Sequence, residues 1–153
     1  MRVYLAGPLF SEAEQVFNRS LVDSLESIGC SVFLPQQDAI DVSKPDFQRL
    51  SPMQQSVAIF ESNKSQIFGC DVFLFCLDGR IPDEGACVEL GLVNAHREFG
   101  VREKLIVGLH TDLRVATEAR RPNAMLMGAL DEIFTTRADL LDYLQKHATD
   151  FGS

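Results

Sequence analysis

The run Val72-Phe73-Leu74-Phe75-Cys76-Leu77 is apolar at every position and gives way at once to Asp78-Gly79. It is the most apolar strand-like stretch of the chain and reads as a buried β-strand. The residues that follow, Arg80-Ile81-Pro82-Asp83-Glu84-Gly85-Ala86-Cys87-Val88-Glu89-Leu90-Gly91, restart as a helix. A buried strand that ends in Asp-Gly and passes into a helix puts carboxylates at the carboxyl edge of a sheet, where open α/β folds bind their ligands. Glu89 stands about one and a half helical turns past Asp83, so the two can border one cleft without being stacked neighbours.

The rest of the chain alternates in the same way. Arg2–Ala6 reads as a strand broken by Gly7-Pro8, and Ser11 with Glu14 makes a capping box for a helix. Val16, Phe17, Leu21, Leu25 and Ile28 follow at helical spacing, with Gly29 as terminator. Ser31–Leu34 is a second strand stopped by Pro35, and residues 36–51 are expected to form a long loop able to cover a site. A helix over Met53–Phe68 ends at Gly69, strand three spans Asp71–Leu77, and a helix runs from about Asp83 to Phe99. Lys104–Leu109 is strand four and His110–Arg121 a loop with a basic end. Pro122 opens a short helix through Leu130, Glu132–Phe134 is strand five, and Arg137–Ala148 a terminal helix. Alternation of this kind predicts an α/β fold: a doubly wound parallel sheet covered by helices on both faces. In the flavodoxin-like order 2-1-3-4-5, the cleft lies between strands one and three, with Tyr4–Phe10 facing Asp78–Glu89.

Charge and cysteine content narrow the partners. With 153 residues and no repeat, linker or low-complexity tract, residues 1–153 are expected to form a single domain. The formal net charge of −8 argues against non-specific binding to nucleic acid or to an anionic membrane. No apolar run approaches the roughly 18 residues of a membrane span. Residues 1–10 lack the charged start and cleavage pattern of a signal peptide. Cys30, Cys70, Cys76 and Cys87 form no CxxC pair and read as reduced thiols of a cytoplasmic protein.

Several residues invite a chemical role beside a plainer one. Glu89 lies within a small, apolar helical face (Ala86, Cys87, Leu90, Gly91), where an unpaired carboxylate is costly to bury. It is the candidate nucleophile, or else a solvated helix residue. Asp83 is a site acid or an N-cap. Tyr4 is core unless its hydroxyl meets a carboxylate. Gly7-Pro8 fits a turn passing close to a ligand but lacks the glycine spacing of a phosphate loop. His96, His110 and His147 do not cluster, so no metal site is expected, and no Ser-His-Asp or Cys-His arrangement can be read. What remains is carboxylate chemistry without a cofactor.

Tyr4-Leu5-Ala6-Gly7-Pro8-Leu9-Phe10, Asp71, Asp78-Gly79 and the segment Asp83-x-Gly85-x-x-x-Glu89-x-Gly91 resemble the nucleoside 2-deoxyribosyltransferases, from Val3 to about Met127. The resemblance implies that Glu89 attacks the anomeric carbon, releases the base and holds a covalent deoxyribosyl intermediate that a second base then takes. It implies that Tyr4 hydrogen-bonds this Glu, that Asp83 contacts the sugar, and that Gln36 (or Gln37) recognises the base. Asn123, in Pro122-Asn123-Ala124-Met125, resembles a residue lent to a neighbouring subunit's site. Gly7, Asp78 and Gly85 fall within the matching motifs, while Phe10, Phe47, Met125 and Met127 are candidates for an apolar, water-poor pocket. The implied partners are deoxynucleosides, free nucleobases and further copies of the chain.

Two positions depart from the family pattern. Asn63 stands eight residues before Asp71, where the family usually has an Asp that contacts and helps protonate the base. An amide can hydrogen-bond a base but cannot donate a carboxylic proton. The chain also ends Phe151-Gly152-Ser153, without the terminal aromatic carboxylate that some relatives place in the site. Exchange with retention follows the logic of retaining glycosidases, with one carboxylate nucleophile and assistance to the leaving group. A related deoxynucleoside 5′-monophosphate N-glycosidase is the rival reading, but the apolar turn Gly7–Phe10 offers no phosphate donors. A non-catalytic nucleotide-sensing module is the reading from a different class.

Overall fold

The computed structural model describes residues 1–100, 103–112 and 122–151. Most of the expected basic loop His110–Arg121 therefore lies outside the described residues. Five strands, β1 (Arg2–Ala6), β2 (Ser31–Phe33), β3 (Val72–Cys76), β4 (Leu105–Leu109) and β5 (Glu132–Phe134), pair in parallel in the order β2-β1-β3-β4-β5. This is the flavodoxin-like α/β arrangement that the alternation predicts.

Side-chain alternation along the strands divides the core into two layers. Val3, Leu5, Val72, Leu74, Val107 and Leu109 point to one face, where helices α1 (Glu12–Ser27) and α7 (Arg137–His147) cover them with Leu21, Leu25, Leu140 and Leu144. Tyr4, Ala6, Phe73, Phe75 and Ile106 point to the other. There they meet Ile67 of α4 (Pro52–Gly69), Ala86, Leu90 and Val93 of α5 (Glu84–Glu98), and Leu130 just after α6 (Ala124–Ala129). Each fully buried side chain of this size contributes about 1.5–3 kcal/mol of hydrophobic stabilisation.

The helix starts follow local chemistry. Ser11 and Glu14 form the expected capping box, and Ser51 with Gln54 forms a second one that starts α4. Residues 36–51 are not the continuous loop that their composition predicts. Pro35 and Pro45 each occupy a first helical position, opening the short helices α2 (Pro35–Asp38) and α3 (Pro45–Gln48). Proline's fixed φ suits that position, and its missing N–H costs nothing there. Leu34 accordingly belongs to the start of α2 rather than to β2. The chain leaves α7 through a 3-10 turn, Ala148–Phe151.

A buried lysine ties α4 to the sheet. Lys104, 3% exposed, donates from Nζ to the carbonyl oxygens of Ile67 (3.3 Å), Phe68 (2.9 Å) and Cys70 (2.5 Å). These are carbonyls at the helix's C-terminal end, where intrahelical partners run out and positive charge is favoured.

Candidate active site

Three elements bring the polar centre together. β1 supplies Tyr4, α4 supplies Asn63 and α5 supplies Glu89. The Tyr4 hydroxyl donates to Glu89 Oε1 at 2.6 Å, and Asn63 Nδ2 donates to the same oxygen at 3.4 Å. Tyr4 is fully buried, and its ring stacks between Phe33 (centroids 5.5 Å apart) and Phe73 (5.6 Å). The alternatives left open for Tyr4 therefore coincide: it is a core residue, and its hydroxyl meets a carboxylate.

The electrostatics follow from this burial. Removal from water pushes the Glu89 carboxyl above its ordinary pKa, the donors Tyr4 and Asn63 pull it back down, and the nearby Asp83 charge pushes it up. Burial, together with the Glu89 charge it faces, raises the Tyr4 phenol far above its usual range. Tyr4 thus remains protonated and acts as a fixed hydrogen-bond donor. Asn63 Oδ1 is buried and has no hydrogen-bond partner among the described residues, so one polar lone-pair set stands unused beside Glu89.

A cavity of about 370 Å³ opens between α4 and α5 beside this centre, bordered by Asn63, Gly85 and Glu89. Ile59, Phe60, Ile67, Val88 and Leu92 make its apolar wall, and Lys64 lies at its side. Phe10, Phe47, Met125 and Met127, the residues expected to supply such a wall, do not line this cavity. In the isolated chain Phe10 is 83% and Met125 81% exposed. The Phe10 backbone N–H donates to Glu14 Oε2 at 3.0 Å.

The remaining candidates are placed as follows. Asp83 is the N-cap of α5, accepting from Ala86 N at 2.8 Å, and Gly85 follows so closely that an added Cβ would lie 3.2 Å from Asp83 Oδ1. Gly7 has φ +147°, and a Cβ there would fall 2.8 Å from Cys76 Cβ and 2.9 Å from its carbonyl oxygen. Glycine at this turn lets β1 and β3 leave the sheet side by side. Asp78 accepts from Thr111 N (2.7 Å), Asp112 N (3.0 Å) and Thr111 Oγ1 (2.6 Å), pinning the start of the segment after β4. The Gln36 side chain donates to Gln15 O (3.2 Å) and accepts from Asn18 Nδ2 (2.9 Å). Asn123 caps α6 by accepting from Met125 N at 2.8 Å, and both residues face solvent in this chain.

Asn18 was missed in the sequence. It is 4% exposed and joins Pro8 O to Gln36. Its signal was available: it falls three residues before Leu21 and seven before Leu25, on the apolar stripe of α1. Among the described residues no group of three or more His, Cys, Asp or Glu is arranged to hold a metal ion, and no helix is long and apolar enough to cross a membrane.

Comparison with known proteins returns the same family as the sequence motifs. The family model described as nucleoside 2-deoxyribosyltransferase matches residues 3–137. A conserved protein of Enterococcus faecalis V583 is 22% identical, with a TM-score of 0.78 over 96% of this chain and 98% of that one. A 2-deoxyribosyltransferase of Bacillus psychrosaccharolyticus is 18% identical (TM-score 0.68; 94% of this chain, 92% of that one). One from Leishmania mexicana is 19% identical (TM-score 0.65; 95% and 97%). At these identities the structural likeness establishes the fold. No curated protein matches the chain.

Proposed function

The chain belongs to the nucleoside 2-deoxyribosyltransferase family, and we propose that it moves a 2-deoxyribosyl group from one nucleobase to another through a covalent ester on Glu89. The observation that carries this reading is the 2.6 Å hydrogen bond from the Tyr4 hydroxyl to Glu89 Oε1 at the edge of an apolar cavity. A carboxylate held by neutral donors in partial burial remains ionisable, is fixed in direction and is poorly hydrated, as a nucleophile toward C1′ needs to be.

In the first half-reaction a Glu89 oxygen forms a bond to C1′ as the C1′–N bond breaks, with the electron pair leaving on the base. In the second, a ring nitrogen of the incoming base attacks C1′ from the vacated side and returns the bonding pair to Glu89. The departing base takes up a proton from solvent and the incoming nitrogen releases one, so the exchange is proton-neutral overall. Two inversions give net retention. Tyr4 orients the carboxylate and remains bonded to the resulting ester. Asn63 accepts a hydrogen bond from an N–H of the base at its unused Oδ1 and transfers no proton. The apolar wall (Ile59, Phe60, Val88, Leu92) keeps water from competing with the second base.

In this reading Asp83 and Gly85 contact the sugar, and Gln36, carried by α2, is the residue assigned to recognise the base. Gly7 and Asp78 are support: one allows the close strand exit and the other anchors the segment after β4. Phe10, Asn123 and Met125 act in trans, in the site of a second copy within a homo-oligomer. Their exposure in one chain, and that of Val57, Phe60 and Val88 near the cavity, agrees with burial against such a copy. Incubation with deoxyinosine and free adenine tests the reading. Deoxyadenosine is the expected product, whereas release of hypoxanthine without new nucleoside would make the protein a hydrolase.

A further inference from the structure

Phe33, Tyr4 and Phe73 form one rung across three strands. The register pairs Tyr4 with Phe33 on β2 and with Phe73 on β3, so all three rings project from the same face of the sheet. The rings are nearly parallel: the Tyr4 plane makes 18° with Phe33 and 6° with Phe73. Phe73 is fully buried in the middle of the sheet. Phe33 is different, being only half-buried on a three-residue edge strand, where it packs against the rim of the core. A cleft of about 170 Å³ is bordered by both Tyr4 and Phe33, together with Gln66 and Cys70.

A phenol oxygen lies at the far end of its side chain, so a small tilt of the ring swings the hydroxyl through a large arc. The 2.6 Å bond to Glu89 spans 85 positions of sequence, so its length depends on the angle at which the packed ring is held between Phe33 and Phe73. We infer that Phe33 is a positioning residue, clamping Tyr4 against Phe73 so that its hydroxyl stays on Glu89. This rests on the proposed role of Glu89 for its catalytic consequence, but not for its structural one. Among the described residues, the ionisable and polar groups acting on Glu89 are Tyr4 from β1, Asn63 from α4 and Asp83 from the start of its own helix. Lys64 of α4 borders the same cavity while paired with Glu61. Of these groups, Tyr4 stacks directly on Phe33.

The test is a double-mutant cycle of Phe33→Leu and Tyr4→Phe, read by NMR titration of the Glu89 carboxyl and by exchange kinetics. Loss of the Tyr4 donor raises the Glu89 pKa, so Phe33→Leu should move the titration part of the way toward that of Tyr4→Phe. Exchange kcat should fall about tenfold with little change in KM, an intermediate value given that a 1 Å misplacement costs about a hundredfold. Phe33→Tyr, which preserves the stack, should restore both. In the Tyr4→Phe background Phe33→Leu should change neither. An unshifted Glu89 titration in Phe33→Leu, or an activity loss of equal size with Tyr4 and without its hydroxyl, overturns the inference. Phe33→Met serves as the second variant if Phe33→Leu does not fold. The titration needs no turnover, so absence of exchange in the parent protein would refute the proposed function and leave the clamp to be judged by NMR alone.

Discussion

Tyr4 Oη and Glu89 Oε1 lie 2.6 Å apart, although one sits on the first strand and the other in the middle of the helix after the third. The parallel pairing of β1 with β3 brings them together: Tyr4 is opposite Phe73, and the helix following β3 packs back over the same face of the sheet. The fold's strand order thus builds the polar centre directly.

Because Glu89 is partly buried, its carboxyl pKa is raised. A raised carboxyl pKa means that the folded state binds the proton more tightly than the unfolded chain does. The stabilisation is fully present below the ordinary value of 4.5 and is lost as the pH rises through the folded-state pKa. Glu89→Gln should therefore melt at a higher temperature than the parent at pH 7, with the difference closing toward pH 4. Thermal melts across that range check it, and a variant less stable at pH 7 would reverse the assigned sign.

Asn63 Nδ2 contacts Glu89 Oε1 at 3.4 Å, so Asn63→Asp sets a second carboxyl beside the first. Like charges at that distance raise a pKa, and the acid limb of the exchange rate should move to higher pH. The new carboxyl can also share a proton with a departing base, so relative rates among purines should shift. Single-turnover base release across pH decides this. Superimposable profiles with every base would place Asn63 outside the reaction.

Lys104 donates to three carbonyls at the end of α4. Lys104→Met leaves those groups buried without the ammonium. It should cost about 3 kcal/mol of stability, the scale of a lost charged hydrogen-bond donor. Urea unfolding measures it, and a change below about 0.5 kcal/mol, typical of surface substitutions, would show that the contact contributes little.

If Asn123 completes a neighbour's site, Asn123→Ala and Glu89→Ala should each be nearly inactive alone. Mixed under subunit-exchanging conditions, they should regain activity, because a mixed assembly contains one site with both residues intact. Light scattering with activity measurements completes the test: a fully active monomer contradicts the shared site.

Much of this was legible in the sequence for local reasons. Gly7-Pro8 ends β1, Ser11 and Glu14 cap α1, and the unbroken apolar run marks β3 because these signals act within a few residues. Asp83 and Glu89 could be placed at one strand edge from spacing alone. The cavity wall could not, because Ile59 and Phe60 face Val88 and Leu92 only once α4 and α5 have packed together. Pro35 reads in the sequence as the stop of a strand and residues 36–51 as a loop, whereas Pro35 and Pro45 each start a turn of helix, since the same fixed φ serves both ends. The stack of Phe33, Tyr4 and Phe73 comes from strand register, which no single segment encodes.

The central claim is a covalent bond between Glu89 and the sugar, and intact-protein mass spectrometry after rapid quenching on a deoxynucleoside measures it most directly. The predicted result is a mass increase of one deoxyribosyl unit that maps to the peptide carrying Glu89, disappears in Glu89→Ala and is chased into new nucleoside by added free base. Glu89→Ala should retain its fold and lose exchange to below about 1% of the parent rate, in line with the loss of a nucleophile. Efficient exchange by Glu89→Ala, or an adduct on any other residue, would contradict it.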